Sequence, residues 1–282
     1  MFIWILASLK APRAKPTEAF SNLLPNPRPS LESRMKALLR LFPIAIIAGF
    51  LVMSCAPVPT DGSASPPTSI PTSPPSNCHP PSLENCYTAA QMKDYLDNVA
   101  IPYVDQFSQD SYSHMPLPNY VYIPEGQTYN SNCGAVEESA FAYCPSNDTV
   151  YIGQKTEWWL YQNYGAIAPV LGLAHEFGHH IQSKVGVPEP PTNSPEEVNH
   201  ENQADCIAGA WVLWADQVKH IIEYPKDLQN IDGLMTAIAD KENRTHGTAS
   251  ERVRSFELGH SSGLSACNSY YPDYPILHQM VN

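Results

Sequence analysis

The second half of the chain repeats apolar residues at a helical period, and a shorter stretch before it alternates as strands do. Thr88-Ala-Ala-Gln91 is a capping box, and Met92, Tyr95, Leu96, Val99, Val104 and Phe107 follow at helical spacing, with Pro102 placed to kink or interrupt the run. Tyr120–Ile123 reads as a strand. Ala140–Tyr143 and Thr149–Ile152 read as two more, joined by the turn Pro145-Ser-Asn-Asp148. Val170, Leu171, Ala174, Phe177 and Ile181 form one stripe, which predicts a helix from about Tyr164 to Lys184 with Gly186 as its stop. Ser194-Pro-Glu-Glu197 reads as a second capping box, with Pro195 in the first helical position. Val198, Ala204, Ile207, Ala208, Trp211 and Trp214 give that helix its buried side. A further helix is expected over Leu228–Lys241, and Thr248-Ala-Ser-Glu251 caps a last one bearing Arg252, Val253, Arg254 and Phe256. The expected fold is α+β, mainly helical, with a small antiparallel sheet.

The most helical of these stripes also carries the chemistry. His175 and His179 stand four residues apart and so share one face of the helix, a turn apart. Two imidazoles so placed can take adjacent corners of one tetrahedral Zn²⁺ site, and Glu176 beside them can act as general base. A catalytic zinc needs a third protein ligand. One common completion of this motif requires Gly at 182 and His at 185, where the chain has Gln182 and Val185. The other takes a Glu from a second helix with an Asp one turn on. Glu201-Asn-Gln-Ala-Asp205 supplies both, so Glu201 is the expected third ligand and Asp205 the acceptor for the outer N–H of a ligand histidine. His200 competes with Glu201 but has no Asp one turn further on. His180 points about 100° away from His179, towards the surface or a supporting role.

The expected reaction is hydrolysis of a peptide bond by a metal-activated water, with one Zn²⁺ per chain and Glu176 moving the proton. His246 is a candidate donor to the oxyanion with Arg252 behind it; alternatively, both support the ligands. Val150–Gly153 is a candidate edge strand for aligning a peptide or protein substrate, or equally a plain structural hairpin. A different class of function is also open: a surface lipoprotein whose zinc is structural, serving as a binding or scaffold module. That needs a fourth protein ligand, and His180, His200 and His246 are the spare candidates, none at an obvious spacing.

Composition adds a setting. The 282 residues carry a formal charge of −12, 28 prolines and seven cysteines. An acidic chain with no Lys/Arg cluster in its second half excludes nucleic acid as a partner. From Met35 a basic start is followed by the apolar run Leu41–Met53, then Ser54 and Cys55. This reads as a lipoprotein signal peptide over 35–54, with 1–34 as an upstream extension and Cys55 as the lipidated residue. Residues 55–81 are rich in Pro, Ser and Thr and read as a tether. The metallopeptidase domain is expected over 82–282, held at the bacterial cell envelope by its N-terminal lipid. Cys78, Cys86, Cys133, Cys144, Cys206 and Cys267 remain, an even number that suggests disulfides with fifteen possible connectivities. Proximity favours 78–86 and 133–144, which leaves 206–267.

Ala174–Gln182, Glu201–Gly209 and His246–Phe256, with Cys133-Gly134, Tyr143-Cys-Pro145 and Val150–Ile152, resemble the neutral zinc metallopeptidases of bacteria. The resemblance covers about residues 115–270. It implies a zincin fold and matching roles for His175, Glu176, His179 and Glu201. The chain departs from the family pattern at Gly153, where an acidic residue is expected, and at Ser255, where an aromatic is.

Overall fold

A computed structural model describes residues 87–191, 194–239 and 246–277. The expected signal peptide, the tether, Cys55, Cys78 and Cys86 lie outside these residues. Among the described residues no helix is long and apolar enough to cross a membrane.

The first helix, α1 (Ala89–Tyr95), opens on the expected capping box, with the Thr88 side chain accepting from the Gln91 N–H. Pro102 does interrupt it. A π-helical turn over Leu96–Ala100 absorbs the missing N–H before α2 (Ile101–Ser111), in which the proline occupies the tolerant first turn. Strands β1 (Asn119–Ile123), β2 (Thr128–Ser131), β3 (Gly134–Glu137), β4 (Phe141–Cys144) and β5 (Thr149–Gly153) follow. The hairpin β2–β3 stands apart as its own two-stranded sheet.

The main sheet has the order β1–β5–β4. It is mixed rather than purely antiparallel, because β1 runs parallel to β5 while β4 pairs antiparallel with it. The strand proposed as an edge is therefore the central one. Val150–Gly153 hydrogen-bonds to a neighbour on both sides and is buried throughout, so it has no free side to offer a peptide. Gly153 is also accounted for: a Cβ there would overlap the carbonyl oxygens of Glu138 and Ala140, which leaves no room for an acidic side chain.

Helix α3 (Gln154–Tyr164) leads into α4 (Ile167–Val185), and Gly165 turns the chain between them with φ 74°. The helix predicted from about Tyr164 to Lys184 is α4, which starts three residues later, while α3 precedes it unpredicted. α4 is buried over almost its whole length and ends at Gly186 in the left-handed conformation (φ 82°). It packs on β4 and β5 on one side and on α5 (Glu196–Trp214) on another. α5 has no capping box. Pro195 occupies its cap position without a side-chain bond, and Glu196 and Glu197 place negative charge at the positive end of the helix instead.

α6 (Lys226–Ala237) is shorter than predicted. α7 (Ala249–Ser262) opens on the expected Thr248–Glu251 box. α5 and α7 cross at backbone distance: a Cβ on Gly209 would overlap the Phe256 carbonyl, and one on Gly259 the Cys206 carbonyl. Ser255, on α7, is buried and accepts from the Tyr270 hydroxyl at 2.6 Å, so an aromatic ring reaches this spot from outside the helix. Disulfides join Cys133 to Cys144 and Cys206 to Cys267, both as paired from the sequence.

Candidate metal centre

The helical faces of α4 and α5 meet where their polar residues are. One turn of α4 presents His175 and His179 with their rings perpendicular and 4.9 Å apart. Glu201 approaches from α5 with one carboxylate oxygen 3.2 Å from His175 Nε2 and the other 3.4 Å from His179 Nε2. All three residues are buried, and their donor atoms lie within 4.8 Å of one another. They are the one such group of three among the described residues that could hold a metal ion.

The outward ring nitrogens are engaged. His175 Nδ1 lies 2.8 Å from Asp205 Oδ1, and His179 Nδ1 lies 2.8 Å from Gln182 Oε1. Asp205 in turn accepts two hydrogen bonds of 2.8 Å from Arg252, from Nε and Nη2. Glu176 lies one step round α4 from His175, and its Oε2 accepts from the backbone N–H of Tyr143 on β4 at 2.8 Å.

Three carboxylates are buried here, and one of them, Asp205, is paired with a guanidinium. Burial opposes charge on Glu201 and Asp205, but the imidazoles hold Glu201 well below its usual range, and Arg252 with His175 holds Asp205 below its own. Burial alone would lower His175; the carboxylates of Asp205 and Glu201 outweigh it and push the imidazole up to about 10. Glu176 is different. Burial dominates and raises its carboxyl to about 7. The cluster draws positive charge, and the donor set of two imidazoles and a carboxylate suits zinc.

The remaining candidates lie elsewhere. His180 is not at the surface: it is fully buried, with Nδ1 2.7 Å from Asp148 and Nε2 2.9 Å from the Pro116 carbonyl. His200 stacks on His179 with centroids 5.1 Å apart and falls outside the donor group; burial and the neighbouring His179 push it down to about 3. His246 is half-buried beside the start of α5, where the adjoining Gly247 meets Val198 and Asn202. Arg252 is the buried partner of Asp205.

A small void with an almost wholly apolar wall lies beside the donor set among Phe141, Leu160, Leu171, Gly172, Leu234 and Met235, with His175, Glu176, Asp205 and Arg252 also bordering it.

The match to known families falls on these same elements. The family described as "Putative neutral zinc metallopeptidase" matches residues 103–270. The chain belongs to this family. Its match takes in α4, α5 and α7, so every residue of the donor set and its charged support lies inside it. Similar proteins include the uncharacterized protein Rv2575 of Mycobacterium tuberculosis, 29% identical over 181 residues, which cover 52% of this chain and 61% of that protein. The uncharacterized protein YpfJ of Escherichia coli is 32% identical over 155 residues, covering 45% of this chain and 53% of its own length. The chain thus spans about three fifths or less of these curated relatives. No solved structure matches it.

Proposed function

We propose that the chain is a zinc-dependent endopeptidase of zincin-like architecture, with His175, His179 and Glu201 as metal ligands and Glu176 as general base. The observation that carries this reading is the convergence of two Nε2 atoms and one carboxylate on a buried point, with Glu176 on the adjoining turn. A zinc ion held there supplies Lewis acidity and lowers the pKa of a water towards about 7. Glu176 takes the proton of the attacking water and passes it to the leaving amine. Its carboxyl suits that exchange, since burial brings it to about 7 and the Tyr143 N–H fixes one oxygen while the other stays available. His246 is the candidate donor to the oxyanion, a role resting on its place beside the helix that bears Glu201.

A structural zinc module would need a fourth protein donor at this point, and the group among the described residues has three. Export and lipid attachment through Cys55 are part of the proposal; the two disulfides support an oxidising compartment.

The test is zinc content and peptide hydrolysis of the full chain beside Glu176→Gln. The expected result is one zinc per chain in both proteins, with chelator-sensitive cleavage in the native chain that falls about 10²–10⁴-fold in the variant. Undiminished turnover by Glu176→Gln removes it from the base role. A native chain that takes up no zinc overturns the whole reading.

A further inference from the structure

Two buried backbone carbonyls dictate where the proton sits on His179. Carbonyl oxygens only accept hydrogen bonds. The His200 carbonyl lies 2.8 Å from Gln182 Nε2, and the Cys267 carbonyl lies 3.0 Å from Gln203 Nε2. Each glutamine must therefore turn its NH₂ towards a carbonyl and its oxygen the other way. Gln203 Oε1 then accepts the second hydrogen of Gln182 Nε2, at 3.0 Å. Gln182 Oε1 is left facing His179 Nδ1 at 2.8 Å. An amide oxygen there requires Nδ1 to carry the hydrogen, which leaves the lone pair on Nε2. The reverse orientation would set oxygen against oxygen at His200.

We infer that Gln182, oriented by Gln203 and the Cys267 carbonyl, is a positioning residue that fixes the Nδ1–H tautomer of His179 and aims its Nε2 lone pair at the metal point. Both glutamines are fully buried. Gln182 also ties the two helices of the donor set together, since its amide grips His179 on α4 and the residue preceding Glu201 on α5. The far end is anchored covalently, because Cys267 is bonded to Cys206 on the helix that carries Glu201 and Gln203. The inference rests on the proposal that this donor set binds zinc.

The experiment is a zinc titration of the full chain against a chromophoric chelator, combined with ¹⁵N shifts of the histidine rings in the zinc-loaded protein. Gln182→Leu removes the acceptor at Nδ1 and is expected to weaken zinc binding about 10–100-fold. The same variant should lose the Nδ1–H signature of His179 in the ring shifts, which a residue that merely fills space would not move. Zinc binding by Gln182→Leu equal to that of the native chain, or an unchanged His179 signature in it, overturns the inference. The ring shifts need no variant: a native His179 whose Nδ1 lacks its proton also overturns it. A native chain that binds no zinc would instead overturn the proposed function, so the two failures are distinct.

Discussion

The helical side of the donor set and its sheet side are held by different means. On the helical side each support is buried and doubly tied: Asp205 by two bonds from Arg252, Gln182 by two bonds from one amide nitrogen, and Cys267 by a disulfide to α5 and a bond from Gln203 to its carbonyl. On the sheet side, one backbone N–H from Tyr143 holds Glu176. Behind it, the β4–β5 turn is pinned by Asp148, which reaches Tyr143 Oη at 2.8 Å, His180 Nδ1 at 2.7 Å and Lys184 Nζ at 2.6 Å. In the proposed site, ligands must converge on a point, which accounts for bearings fixed from several directions. The proposed base, which would move a proton, has one tether.

This contrast orders the expected damage. Arg252→Met leaves the buried Asp205 carboxylate with only the His175 ring as partner and should destabilise the fold by about 3–5 kcal/mol in denaturant unfolding. A loss below 1 kcal/mol would show that the helical side does not depend on that charge pair. Gly259→Ala forces a methyl into the Cys206 carbonyl and should cost about 3 kcal/mol. On the sheet side the effects are smaller. Burial pushes the Glu157 carboxyl up to about 7 despite the 2.9 Å bond from the Tyr122 hydroxyl. A carboxyl so raised contributes stability that is full below its ordinary value of 4.5 and lost as pH rises through about 7. Glu157→Gln keeps the neutral form at every pH, so it should gain about 2–3 kcal/mol over the native chain between pH 4.5 and 8. Equal shifts at both pH values would remove the titration argument. Asp148→Asn, which keeps its shape but loses its charge, should cost about 1 kcal/mol, read as a small fall in melting temperature.

The donor set was legible in the sequence because each of its parts is a spacing along one helix: His175 with His179, and Glu201 with Asp205. Cys133–Cys144 was legible from proximity along the chain, and Cys206–Cys267 as the pair left over. What stayed hidden depends on how elements cross. Gln182 looks unremarkable on its own helix, and its role arises only where α4 meets the turn containing His200 and Gln203. α3 was missed because Thr156 and Glu157 face inward, so its buried side does not read as apolar. The hairpin β2–β3 was missed because it is mostly exposed. The centrality of β5 was mistaken although the sequence held a clue: Val150-Tyr-Ile152 is a continuous apolar run rather than an alternation, as expected of a strand covered on both faces.

The crossing of α5 and α7 at Gly209 and Gly259 has a mechanical consequence. With backbone set against backbone there is no layer of side chains to slide or tilt, and the joint has no clearance. The two helices act as a single strut, with Glu201 and Asp205 on one limb and Arg252 on the other. On the proposed function, a cation entering such a cup would meet walls already cut to size, and its affinity would come as much from what need not rearrange as from the contacts it makes.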